Sequence, residues 1–158
     1  MPSTANPTIN SLSVVLTSIH GVQLLLPSAA VAEIIEYQAT QSSEDDQPTW
    51  YLGQLAWRGL QIPLVSLEGM NHDAFFTQSR GLKIVVVHSL LSNSKLPHWA
   101  FVVMETPRMM RIERERLHSS EESTDDNRIA AMWAQLDETQ VLLPDLQVIE
   151  EQLLSVVV

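Results

Sequence analysis

The chain has 158 residues, a formal net charge of −10 at pH 7, 45% hydrophobic and 18% charged residues, and no cysteine. That length holds one domain with a real core, and the missing cysteines exclude disulfides, thiolate metal sites and cysteine nucleophiles and fit a reducing compartment. The negative charge argues against nucleic acid or an anionic membrane as a partner.

The chain begins Met-Pro-Ser-Thr-Ala-Asn-Pro, with neither a basic n-region nor an apolar h-region. Residues 1–12 therefore read as a flexible N-terminal tail, followed by one domain over residues 13–158. No apolar run approaches the roughly 20 residues of a spanning helix. A soluble, cytoplasmic protein without direct membrane insertion is expected.

Val14 to Ile19 and Val22 to Leu26 are β-rich runs separated by His20-Gly21, a tight-hairpin signal with His20 as a turn residue. Pro27 ends the second run. Ala29 to Tyr37 fits helical spacing through Val31, Ile34 and Ile35, and strand alternation through Val31, Glu33, Ile35 and Tyr37. A turn of helix or a bend is expected, then a strand from about Glu33. Gln38 to Thr49 is polar and acidic, hence a loop. Its Glu44-Asp45-Asp46 lacks the preformed cage of a metal site and reads as solvated. Pro48 to Leu52 can form one helical turn.

Gly53 to Glu68 is an apolar run, an Arg58-Gly59 break and a second apolar run. Glycine reaches φ > 0 at little cost, so the break suits a reversal between strands. Leu60, Ile62 and Leu64 alternate with Gln61, Pro63 and Val65, and Pro63, having no N–H, places that strand at an edge or a bulge. The reading is a β-hairpin with an arginine at its tip. Such an arginine offers a planar charged fork to a partner; the alternative is a solvated turn.

Gly69 to Gly81 is a connector with Phe75 and Phe76 packed beneath it. Ile84 to Val87 reads as a central strand buried on both faces, and His88 beside it as a hydrogen-bonded core histidine. Ser92 to Pro97 is a turn, and Trp99 to Met104 a second buried strand. Arg108, Arg111, Arg114 and Arg116 are four of the nine basic residues. They alternate with Glu113 and Glu115, as a protein-docking strip or as a charge-paired surface strand. Ser119 to Asn127 is an acidic loop. Ile129 to Leu136 and Thr139 to Leu143 read as strands. Asp145 to Leu154 reads as a helix with Leu146, Ile149 and Leu153 on one face.

No catalytic grouping emerges. There is no Gly-x-Ser-x-Gly elbow, Walker loop or Gly-x-Gly-x-x-Gly, and the histidines (20, 72, 88, 98, 118) form no zincin-type pair. No enzyme activity, cofactor or metal is expected. Of the four tryptophans, Trp57 beside the arginine tip is the interface candidate, since tryptophan is enriched in hot spots.

Gly53, Leu55, Trp57-Arg58-Gly59 and Ile62-Pro63-Leu64-Val65-Ser66-Leu67 together resemble the central signature of CheW-like domains, the coupling proteins of bacterial chemosensory arrays. The likeness runs from about Val14 to about Leu154. Val31-Ala32-Glu33-Ile34 is similar to the family's Val-x-Glu-Ile, in a neighbourhood that belongs to its partner-binding surface. The resemblance implies an all-β fold with minor α: two small SH3-like five-stranded β-barrels around a shared core, with a C-terminal helix. It implies a non-catalytic adaptor between the cytoplasmic tip of a methyl-accepting chemoreceptor and a CheA-type histidine kinase, at receptor arrays on the inner membrane. Val31, Glu33, Trp57 and Arg58 are the implied partner-binding residues, with Gly53 and Gly59 conformational. The family's Val-Val-Asp-x-Val is replaced by Val102-Val103-Met104-Glu105-Thr106, so a contact through that aspartate has no counterpart. A narrower resemblance, through Leu24-Leu25-Leu26-Pro27, Val31-Ala32-Glu33, Trp57-Arg58-Gly59 and Pro63 to Glu68, is to the ChpC-type coupling proteins of type IV pilus systems, implying control of twitching motility. The competing class is a small β-barrel ligand-binding domain or enzyme of unknown substrate.

Overall fold

In the computed structural model, residues 10–19, 21–40, 47–72, 80–91, 96–120 and 129–157 are described. His20, the acidic run 44–46, Phe75, Phe76, most of the turn expected over 92–97 and residues 121–128 of the acidic loop lie outside them, as do residues 1–9 of the expected tail.

Among the described residues, eleven strands and two helices follow one another. The hairpin of β1 (Ser11–Ile19) and β2 (Val22–Pro27) leads through a 3-10 turn, Ser28–Ala30, into β3 (Val31–Glu36). Next come β4 (Tyr51–Trp57), β5 (Leu60–Val65), α1 (Leu67–His72), β6 (Lys83–His88) and β7 (His98–Val103). The return half holds β8 (Arg108–Glu113), a 3-10 turn at Arg114–Arg116, β9 (Leu117–Ser119), β10 (Ala130–Leu136), β11 (Thr139–Pro144) and α2 (Leu146–Val157).

Two sheets result. One has six strands in the order β8-β1-β2-β11-β10-β9, and the other five in the order β3-β6-β7-β5-β4. The first gains its sixth strand from the three residues of β9. Most pairings are antiparallel; β11 joins β2 and β5 joins β7 in parallel.

Strand alternation explains why so many strands are apolar on both faces. Successive side chains point to opposite faces. Ile84 and Val86 of β6, with Ala100 and Val102 of β7, fill the interior of the five-stranded unit beside Leu55, Ile62 and Leu64. Their neighbours Val85, Val87, Trp99, Phe101 and Val103 face a second core. In the six-stranded unit Val14, Leu16, Leu25, Ile112 and Val141 fill the interior, while Val15, Leu24, Leu26 and Leu142 turn to that same second core. Two barrel interiors thus flank one shared core. Helix α2 closes the shared core with Leu146, Ile149 and Leu153, all buried. Asp145 caps the helix by accepting the Val148 N–H at 3.1 Å, as an aspartate at that position can.

Three local expectations change. First, β5 is an interior strand, between β7 and β4. Its pairing with β7 begins only at Leu64↔Ala100, so Pro63 sits where that side of the strand has no ladder to supply. Second, Tyr51 N donates to the Pro48 carbonyl at 3.0 Å, so Pro48 to Tyr51 is a single turn and β4 starts at once. Third, His88 is exposed at the end of β6. It falls one residue past the four buried positions Ile84–Val87, beyond the reach of either core.

Among the described residues, no helix is long and apolar enough to cross a membrane.

Candidate functional site

The Arg58-Gly59 reversal stands at one end of the five-stranded unit. Both turn residues have positive φ, 49° at Arg58 and 77° at Gly59, the backbone a two-residue hairpin requires to match the right-handed twist of its strands. Glycine meets that demand freely. Arginine at φ > 0 is uncommon, and its side chain is held by two neighbours.

The first is Glu33. Arg58 Nη2 lies 2.7 Å from Glu33 Oε1, with the arginine side chain 66% and the glutamate 36% exposed. The second is Trp57, whose ring centroid lies 4.8 Å from Arg58 Cζ, within cation–π range. Trp57 itself is 7% exposed and packs in the barrel interior. A buried indole N–H needs an acceptor, and Trp57 Nε1 donates to the same Glu33 Oε1 at 3.1 Å. One carboxylate oxygen therefore ties both the tip arginine and the tryptophan beneath it.

A bulge presents that carboxylate. The register of β3 against β6 shifts between Val31, opposite Val87, and Glu33, opposite Val86. Ala32 is the extra residue, and such an insertion re-aims the side chains that follow. Ile35 and Tyr37, which alternation puts on the same face as Glu33, pack on the barrel interior. Glu33 thus stands at the end of a row that points inward, and reaches Trp57. Val31, half-buried, packs on the shared core. Gly53, with φ 109°, ends the bulge in the β4–β5 ladder, where the register shifts between Tyr51, opposite Val65, and Gly53, opposite Leu64.

A histidine pair lies beside Trp57. His98 lies directly across from His88 in the β6–β7 ladder, with ring centroids 5.1 Å apart. The His98 ring is also 4.8 Å from that of Trp57. Its Nδ1 is buried without a hydrogen-bond partner among the described residues. Burial, and then the nearby His88 and Arg58 charges, hold His98 below the usual histidine range.

The site thus runs from Glu33 through Arg58 and Trp57 to His98 and His88. Leu60, 44% exposed, adds an apolar side chain just past the tip. Val31, Glu33, Trp57 and Arg58 all belong to this end of the five-stranded unit, with Glu33, Trp57 and Arg58 in direct contact. Sequence reasoning passed over His98 and Leu60. Alternation put Leu60 on one face with Ile62 and Leu64; as the first residue of β5, next to the reversal, it is exposed while they are buried. His98 had no sequence signal beyond the His-x9-His spacing with His88, which means nothing until the two strands pair. The site offers ion pairing, hydrogen bonding and apolar contact. Among the described residues no group of three or more histidines and acids could hold a metal ion.

Comparison with known proteins adds the following. Residues 13–153 match the CheW-like domain family. No curated protein matches the sequence. Fifteen chains of solved structures match. Among them is the crystal structure of the scaffolding protein TtCheW from Thermoanaerobacter tengcongensis, with 16% sequence identity, a TM-score of 0.69, and coverage of 84% of this chain and 88% of that one. At that identity the likeness is one of fold.

Proposed function

The chain belongs to the CheW-like domain family, and from that premise we propose that it is a non-catalytic adaptor coupling a methyl-accepting chemoreceptor tip to a CheA-type histidine kinase. The family is one of chemosensory scaffolds, and the chain's work is to hold partners together. The observation that carries the reading is the shared use of Glu33 Oε1 by Arg58 and Trp57. It fixes an exposed guanidinium in one orientation beside exposed Leu60. A preorganised side chain loses less freedom on binding, which favours affinity. Arg58 and Leu60 are the groups offered to a partner, Glu33 and Trp57 set their pose, Val31 anchors the start of β3, and Gly53 and Gly59 supply the backbone geometry. The adaptor works in the cytoplasm, at receptor arrays on the inner membrane.

The test pairs thermal melting with affinity for a CheA-type kinase regulatory domain and for a receptor tip fragment. Arg58→Ala removes an exposed ion pair, worth about 0–1 kcal/mol of stability. It is expected to weaken partner binding by about 2 kcal/mol, as loss of a hot-spot residue does. Lysine should restore binding only in part, since an ammonium lacks the planar fork. Unchanged affinity for both partners in Arg58→Ala would refute the assignment.

The run Leu24 to Pro27, Val31 to Glu33 and Pro63 to Glu68 supports placing this adaptor in a type IV pilus chemosensory system. Deleting the gene should then abolish twitching and spare swimming; the reverse outcome would move it to a flagellar pathway.

A further inference from the structure

His88 closes β6 and His98 opens β7, and the two stand directly opposite in the antiparallel ladder. The next pair outward is joined by a backbone hydrogen bond, Ser89 N donating to the Pro97 carbonyl at 2.9 Å. Bonded and non-bonded pairs alternate along such a ladder. His88 and His98 are therefore a non-bonded pair, the kind whose Cα atoms stand only about 4.5 Å apart. Both side chains leave the same face, the one that Val86 and Ala100 turn to the interior of the five-stranded unit. The two imidazoles stand together at the mouth of that barrel, with ring centroids 5.1 Å apart and planes tilted by 54°.

That spacing suits a shared metal ion. With a metal–nitrogen distance of about 2.0–2.1 Å, an imidazole centroid lies about 3.2 Å from the metal. Two such rings on one ion have centroids about 4.5 Å apart at a right angle and about 5.2 Å apart at the tetrahedral angle. The buried Nδ1 of His98 has no hydrogen-bond partner among the described residues, and an orphaned buried nitrogen is where a bound ion or water is to be sought. Burial first, then the charges of His88 and Arg58, hold His98 below the usual histidine range. It is thus neutral near pH 7, as a metal ligand must be. The Arg58 charge, which opposes a second cation here, is offset by Glu33 at 2.7 Å. His88 is exposed, so its ring can turn toward the ion.

We propose that His88 and His98 form a two-histidine site for a late first-row divalent cation, Cu²⁺ or Zn²⁺. Imidazole nitrogen suits these ions, and the general order of affinities favours Cu²⁺. Structural zinc sites close with four protein ligands and catalytic ones keep three. No third histidine or acid joins the pair among the described residues, so this is an open site whose other positions are filled by water. Its effect is on the fold. The ion clips the ends of β6 and β7 together where their connection begins, and it stabilises the native chain because the unfolded chain lacks the pair. The two ligands lie on different strands and become neighbours only through the β6–β7 register. The test needs no partner protein, so its failure leaves the adaptor reading untouched.

The experiment uses the full chain, free of any affinity tag and stripped with a chelator, titrated with Cu²⁺, Zn²⁺ and, as the hard-cation control, Mg²⁺. Calorimetry is expected to show saturable binding of one Cu²⁺, weaker binding of Zn²⁺ and none of Mg²⁺. His88→Asn, a change at an exposed position, should weaken Cu²⁺ binding roughly tenfold or more, because the chelate falls to one ligand. His98→Asn should do the same. His118→Asn, on β9, should bind as the wild type does. Cu²⁺ should raise the melting temperature of the wild type and of His118→Asn, and leave both ligand variants where they were. The idea is overturned by any of four results: no saturable Cu²⁺ binding up to about 1 mM, undiminished binding in His88→Asn, loss of binding in His118→Asn, or a wild-type melting temperature that Cu²⁺ does not raise.

Discussion

At the scale of single residues, the site depends on how two side chains, Arg58 and Trp57, share one carboxylate oxygen of Glu33. The tip arginine and Trp57 were legible in sequence because they flank a glycine break between two apolar runs. Their dependence on Glu33 was not, because the two segments lie 24 positions apart and meet only once β3 and β4 belong to one barrel. The histidine pair behind them gives a pH dependence whose sign can be worked out. His98 is lowered from its ordinary value of 6.5 by burial first, then by His88 and Arg58, with Trp57 packed on the same ring. Arg58 is in turn paired with Glu33. As pH falls through 6.5, the unfolded chain takes up the proton first and the folded chain resists it. Stability is therefore lost between 6.5 and the lower folded value, and holds steady above 6.5. Melting followed from about pH 8 to about pH 5 should fall less steeply in His98→Gln than in the wild type. Parallel curves would show that His98 carries no such linkage.

At the scale of elements, the helix that closes the chain is fastened by more than its apolar stripe. Leu146, Ile149 and Leu153 were readable from their spacing. Glu150 went unread: at i+4 from Leu146 it falls on the apolar stripe, but a carboxylate is a residue type ordinarily left in solvent. It is fully buried. Its Oε1 accepts from Leu90 N at 2.7 Å and Trp99 Nε1 at 3.1 Å, and its Oε2 from Ser89 Oγ at 2.9 Å and Leu91 N at 3.2 Å. Those donors belong to the start of the β6–β7 connection and to β7 itself. A buried acid is tolerated only where such partners satisfy it, and here it clamps α2 to the five-stranded unit. Glu150→Ala should cost about 3 kcal/mol, because several buried donors lose their acceptor together. Amide hydrogen exchange at Leu90 and Leu91 should quicken in the same variant. Glu150→Gln, which keeps one acceptor oxygen, should lose less. A melt and exchange pattern unchanged in Glu150→Ala would show that the clamp contributes nothing. The misplacement of β5 and of His88 has a related cause: a strand's neighbours are set by partners far along the chain, while periodicity reports only its own faces.

At the scale of the whole molecule, the all-β class and the closing helix follow from the spacing of apolar runs and turns. The doubly apolar strands β6 and β7 also pointed to a two-sided burial. What periodicity could not supply is that their two faces serve different cores, one private to a barrel and one shared between barrels. That division comes from topology. The family's signature, carried by the residues around Arg58-Gly59, filled the gap.

The parallel pairing of β2 with β11, through Gln23↔Val141 and Leu24↔Leu142, has a consequence for birth on the ribosome. All five strands of one sheet come from a continuous stretch, β3 to β7, ending at Val103. The other sheet needs β2, which emerges early, and β11, which ends at Pro144. Until β8 emerges to pair with β1 and β11 to pair with β2, the two wait as a hairpin, and isolated hairpins are marginal in water. The middle of the chain should thus become protease-resistant before its beginning, against the usual N-terminal-first order. Stalling synthesis at successive lengths and pulsing with protease would read this directly. Resistance across β3 to β7 is expected while β1 and β2 are still cleaved. Early resistance of β1 and β2, before β11 has emerged, would mean that something other than this pairing protects the nascent hairpin.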